Sequence, residues 1–173
     1  RFPAGPDCLT GTHAGGNAYY MSLSGTSQAT AVASGVAALT REFIREQVGV
    51  NSPSSALVKA VLINGAEDMG APDIPNALEG WGQVDLERTV MPMNGATPLD
   101  TFVDDTSALN PGYALLYSFD LNPGHGVDIT WAWTDEAGSA NTAQNHPRLV
   151  NDLDVTLQGP NGELYLGNVF SNG

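Results

Sequence analysis

Apolar residues change their spacing along this chain, and the change divides it in two. Up to about residue 91 they come in helix-length groups, and beyond residue 98 they alternate with polar residues. Residues 1–18 are rich in Gly, Pro and Thr and read as loop, overlapping a short apolar and aromatic stretch (NAYYMSL, residues 17–23) that predicts a buried strand. Ser24-Gly25-Thr26-Ser27 breaks that pattern. From about residue 27 to 48 the chain predicts one long helix. Its first half, QATAVASGVAAL, is almost wholly small and apolar, as a helix buried on all sides would be. Its second half, TREFIREQV, is amphipathic and should emerge toward solvent. A second helix is expected with Ser52 as N-cap and Pro53 as its first residue. Leu57, Val58, Val61 and Leu62 fall at helical spacing, and Gly65 is its expected stop. Residues 66–80 form a loop bearing Pro and Asp. Gly80-Trp81-Gly82-Gln83-Val84-Asp85 leads into a short helix near residues 85–91.

Residues 92–98 read as a linker. Beyond them Tyr113, Leu115, Tyr117, Phe119 and Leu121 share one face of a predicted strand, and Val127, Ile129, Trp131 and Trp133 share one face of another. Leu149, Leu153, Val155 and Leu157 repeat the pattern, with Asp152, Asp154 and Thr156 opposite. Gly159-Pro160-Asn161-Gly162 is a turn signal between this strand and residues 163–169. Alternating strands without intervening helices predict an antiparallel β-sandwich, jelly-roll-like and incomplete within the chain. Trp131 and Trp133 point inward with the apolar set and so read as core, which argues against a carbohydrate-binding sandwich. The expected division is a helical piece of an α/β domain over residues 1–95 and the first part of a β-sandwich over residues 96–173.

The 173 residues allow one domain or two small ones, and no apolar run approaches the roughly 18 residues of a membrane helix. Nineteen acidic against six basic side chains give a net charge of −13. Such a surface repels nucleic acid and anionic membranes, so neither is expected as a partner. It suits an extracellular protein in saline or calcium-containing fluid, and it also serves plain solubility. Cys8 is the only cysteine, so no intrachain disulfide can form. The chain lacks an initiating Met and a signal peptide. Both ends read as cut, so groups missing here are expected elsewhere in a longer protein.

Ser27 is the candidate nucleophile. The first N–H groups of a helix have no internal partner, and with the helix dipole they place partial positive charge beside a serine hydroxyl. Gly25 permits close substrate approach, and small residues at Ala29, Ala31 and Ala33 allow tight packing beneath the site. This is a setting for acyl transfer. For an arbitrary serine before a helix, an N-cap role is the commoner reading. Here the string Ser24-Gly25-Thr26-Ser27-Gln28-Ala29-Thr30 resembles the nucleophile motif of the subtilisin-like serine proteases (subtilases, the S8 family), Gly-Thr-Ser-x-Ala-x-Pro. Ser34-Gly35-Val36-Ala37-Ala38-Leu39 is similar to the family's following helix. Residues 57–66 resemble its next helix, and Gly80-Trp81-Gly82-Gln83-Val84 its Gly-aromatic-Gly-x-Val segment. From residue 110 the chain resembles the β-sandwich that follows the catalytic domain in the large alkaline oxidant-tolerant group, carried by Val150-Asn151-Asp152-Leu153-Asp154 and Gly159-Pro160-Asn161-Gly162. That stretch is also loosely similar to the P-domains of proprotein convertases. Two positions depart from the pattern: Ala31 stands where the family usually has Pro, and Gln28 where many members have Met.

The resemblance implies a serine endopeptidase acting on proteins or peptides through an acyl-enzyme on Ser27, with Gly25 and Thr26 completing the oxyanion motif. No cofactor is expected for catalysis. The family's His base, orienting Asp and oxyanion Asn all lie upstream of the serine. His13 is the one histidine before Ser27 and lacks the helix start that presents the family's base; His125 and His146 lie in the β region. The 173 residues alone are therefore expected to be inactive. An α/β-hydrolase arrangement using Asp68 and His125 would need Gly-x-Ser-x-Gly, which Gly25-Thr26-Ser27-Gln28-Ala29 lacks. Asp152 and Asp154, about 7 Å apart on one strand face, are candidates for a structural Ca²⁺ with loop carbonyls, against the plainer reading of a solvated acidic face. The alternative to an enzyme is an inactive subtilase-like protein whose β-sandwich binds a partner.

Overall fold

The structure is a computed structural model, and it describes residues 24–72, 74–94, 97–140 and 148–167. The chain forms two compact units, Arg1–Val36 and Ala37–Gly173. The expected strand at residues 17–23 lies outside the described residues.

In the first unit the described part is the beginning of helix α1 (Thr26–Phe43). The Gly25 carbonyl accepts the first helical bond from the Ala29 N–H at 3.1 Å. Thr30 Oγ1 donates to the Thr26 carbonyl at 2.7 Å and Ser34 Oγ to the Thr30 carbonyl at 2.8 Å. These hydroxyls are thus satisfied within their own helix. Expected to be buried on every side, this half of α1 is largely exposed, Val32 at 59%. A helix cannot cover its own faces, and the helix is all that is described of this unit.

In the second unit the last turn of α1 runs into a π-helical turn, Ile44–Val48, closed by Gly49 at φ 85°. The amphipathic pattern holds here: Thr40 and Ile44 are fully buried, while Arg41, Glu42, Arg45 and Glu46 face solvent. Helix α2 (Ser55–Asn64) starts two residues later than expected. Its N-cap is Ser54, whose Oγ accepts from the Leu57 N–H at 3.0 Å, and Pro53 is buried just before it. The Pro53 carbonyl accepts from Arg41 Nη1 at 2.6 Å, which binds this entry segment to the end of α1.

Gly65 ends α2 as expected, but with φ −87° it is not the left-handed cap that usually calls for glycine. Its role is close approach. A Cβ there would lie 2.5 to 2.8 Å from Thr89 Oγ1, Cα and N. Thr89 is buried in helix α3 (Leu86–Val90), whose N-cap Asp85 accepts from the Arg88 N–H at 3.0 Å. Between α2 and α3, Glu67 and Gln83 exchange two backbone bonds of 2.8 Å. The Glu79 carboxylate draws in the Met69 N–H (3.0 Å), the Ala71 N–H (3.1 Å) and Asn76 Nδ2 (3.0 Å). Glu79 therefore replaces a hydrophobic core as the organiser of this loop.

The expected linker contains a small antiparallel pair, β1 (Met93–Asn94) with β2 (Thr97–Pro98). Farther on, β3 (Thr156–Gln158) pairs with β4 (Leu164–Leu166), Leu157 opposite Tyr165. The turn between them is the Gly159-Pro160-Asn161-Gly162 signal: Gly162 has φ 92°, its N–H bonds the Gly159 carbonyl at 3.0 Å, and Glu163 accepts from Asn161 N and Nδ2. The sheet paired among the described residues of this region is limited to that hairpin. Residues 113–121 and 127–133 carry no strand pairing there. Their alternation survives only in part: Leu115 and Tyr117 are each 37% exposed while Leu116 is 92% exposed. Phe102, Tyr117 and Phe119 form a ring cluster with centroids 5.4 to 6.4 Å apart. Periodicity specifies a face, whereas a sheet also needs neighbouring strands and a covering layer.

Candidate functional site

Ser27 is the second residue of α1 and is exposed. The residue before the helix, Gly25, has φ 150°, and a Cβ there would meet Gln28 Oε1 at 2.9 Å. The string thus produces a glycine bend followed at once by a helix whose leading N–H groups are not used by the helical ladder. Thr26 opens the helix and lends its carbonyl to the Thr30 hydroxyl. A substrate carbonyl brought to the Ser27 hydroxyl here would meet backbone donors and the positive end of the helix dipole.

His13 and His146 lie outside the described residues. His125 is half-buried in a turn, its backbone N–H bonding the Asn122 carbonyl at 3.1 Å. Asp152 and Asp154 are both exposed, with half-buried Leu153 between them as the alternation requires. Among the described residues no three His, Cys, Asp or Glu side chains converge on a metal-sized site. The two carboxylates offer up to four of the six to eight oxygens Ca²⁺ takes, so the fit is partial and any ion there would draw on backbone carbonyls.

A cavity of about 460 Å³ in the second unit is lined by Ile63, Asn64, Glu67, Trp81, Arg88 and Ile129 among others. Its one hydroxyl, Thr130 Oγ1, accepts from Asn64 Nδ2 at 3.1 Å, and no His lines the cavity to serve as its base.

Two carboxylates not singled out in the sequence organise the β region. Asp135 accepts from the Val150 N–H (2.7 Å), the Asn151 N–H (3.0 Å) and Asn151 Nδ2 (2.8 Å). The Val150 N–H bond chiefly holds its pKa below the usual carboxylate range, and the Asn151 bonds add to the shift. Val150-Asn151 begins one of the strings that carry the β-sandwich resemblance, and Asp135 is the group that fixes it in place. Asp104 accepts from Ser107 Oγ, Tyr117 Oη (2.7 Å), the Thr106 N–H (2.8 Å) and the Ser107 N–H (3.0 Å). These bonds, Ser107 Oγ first, hold its pKa well below the usual range, and the hydrogen bond to Asp104 raises that of Tyr117. Asp104-x-Thr106-Ser107 is a local turn pattern that composition alone could have signalled; Asp135, fifteen residues from its partner, offered no such sign.

Two comparisons with known proteins cover the start of α1. The model of the subtilase family matches residues 3–82, a stretch that contains Ser27, all of α1 and α2, and ends within Gly80-Trp81-Gly82. The serine protease/ABC transporter B family protein tagA of Dictyostelium discoideum is 34% identical over 177 residues, covering 88% of this chain. The chain spans about 10% of that relative's length. No solved structure matches the chain. The family match and the relative together support a subtilase-family protein.

Proposed function

We propose that this chain carries the nucleophile of a serine endopeptidase and that Ser27 is that residue. The observation behind the reading is the exposed Ser27 in the first turn of α1, directly after the Gly25 bend and within the stretch matched by the family model. Ser27 Oγ attacks the scissile carbonyl and a histidine takes its proton. Helix N–H groups and an Asn amide hold the oxyanion. The amine leaves with the proton from the histidine, and water then cleaves the acyl-serine ester. On the family pattern, the histidine, its orienting Asp and the Asn belong to chain preceding Ser27.

The finer reading is a large alkaline oxidant-tolerant type with a C-terminal β-sandwich, secreted, with protein or peptide substrates. Its support is the alternation over residues 113–133, the β3–β4 hairpin, Gln28 beside the nucleophile, and the net charge of −13. A calcium ion at Asp152 and Asp154 belongs to the same reading. The test is a pair of variants in the full-length protein. Ser27→Ala should abolish peptide hydrolysis and leave the fold intact, while Ser24→Ala should keep most of it. The reverse outcome would displace Ser27 as nucleophile.

A further inference from the structure

Helix α2 is held at both ends by residues far along the chain. At its start the Asp105 carboxylate accepts from the Ser54 N–H at 2.7 Å through Oδ2 and from the Ser54 hydroxyl through Oδ1. At its end Asn64 Nδ2 donates to the Asp128 carbonyl at 3.3 Å and to Thr130 Oγ1 at 3.1 Å. The Ser54 hydroxyl has one hydrogen and two lone pairs. One lone pair caps the helix through the Leu57 N–H, and the hydrogen goes to Asp105. The cap is therefore complete without Asp105, and the second bond is a tether. Both Ser54 and Asp105 are half-buried, and a carboxylate at a helix N-terminus is favoured by the dipole.

A helix of ten residues is about 15 Å long. Its two ends are thus separate anchor points, and one stretch of chain reaches both. That stretch turns back at residues 122–125, where the His125 N–H bonds the Asn122 carbonyl. We propose that Asp105 at one end and Asn64 at the other form a two-point clasp, so that residues 105–130 and helix α2 open together and not separately. Loosening either tether then loosens the far one, a coupling built into the fold that does not depend on the peptidase reading.

Peptide-resolved hydrogen exchange on the full-length protein tests this. Asp105→Ala should speed exchange about tenfold at residues 54–57 and also at His125, whose N–H bonds the Asn122 carbonyl and which Asp105 does not touch. Asp100→Ala, at an exposed carboxylate on the same stretch, should change neither. A rise confined to residues 54–57 would make Asp105 a local cap and overturn the clasp. If Asp105→Ala fails to fold, Asn64→Ala probes from the other end: faster exchange at residues 104–107 supports the clasp, and a change confined to residues 62–65 overturns it.

Discussion

Gly65→Ala isolates the close contact between α2 and α3. The added methyl would sit 2.5 Å from Thr89 Oγ1, 2.6 Å from its Cα and 2.8 Å from its N. Two of these atoms are backbone, so no rotamer change relieves the overlap, and the helices must move apart. Overpacking of this kind costs about 1–3 kcal/mol. The gain in helix propensity of Ala over Gly, up to about 1 kcal/mol, offsets part of it because Gly65 has right-handed φ and ψ. A net loss of about 1–2 kcal/mol corresponds to roughly 5- to 30-fold faster opening of α2, read as amide exchange over residues 57–64 of the full-length protein. Thr89→Ala should not rescue the variant, because the Thr89 backbone atoms remain. Gly126→Ala, with nothing near its built Cβ, is the control and should change exchange little. Unchanged or slower exchange in Gly65→Ala, or full rescue by Thr89→Ala, would refute the close-approach argument.

Three further outcomes follow from particular side chains. Gln28 has no sulfur, so the proposed peptidase activity of the full-length protein should resist peroxide, whereas that of Gln28→Met should be lost faster at the same peroxide concentration; equal rates would remove residue 28 as the oxidation-sensitive position. The folded pKa of Asp104 is depressed, so its contribution to stability is present above the unfolded carboxylate range near about 4 and is lost as pH falls through the folded pKa. Asp104→Asn should therefore be less stable than the parent at pH 7, with the difference shrinking below about pH 4; a difference that grows on acidification would contradict the sign. If Ca²⁺ sits at Asp152 and Asp154, chelator should lower the Tm of the parent but not of the Asp152→Asn/Asp154→Asn variant, and equal chelator responses would exclude that site.

What was legible in the sequence was local. The bounds of α3, the exposed face of the end of α1 and the β3–β4 turn each depend on residues within a few positions of one another. The start of α2 was misread because Ser52-Pro53 and Ser54 are both acceptable helix starts; what distinguishes Ser54 is its reach to Leu57 and to Asp105, 51 residues away. Gly65 was recognised as a stop for the wrong reason, since its partner Thr89 lies in another helix. Alternation over residues 113–133 identified faces but could not provide the strands to pair them. At the candidate site, the bend at Gly25 and the helix start at Thr26 were legible because both are local to the Gly25-Thr26-Ser27 string. The other members of the proposed triad were not, because a triad is assembled in space from distant parts of a chain.

Covalent labelling asks directly whether Ser27 is an activated nucleophile. The full-length protein would be treated with a fluorophosphonate, digested, and the adduct located by mass spectrometry. Rapid, stoichiometric modification of Ser27 is expected, with parallel loss of peptide hydrolysis and no labelling of the Ser27→Ala variant. Labelling at another serine with Ser27 unmodified, or loss of hydrolysis without an adduct on Ser27, would contradict it.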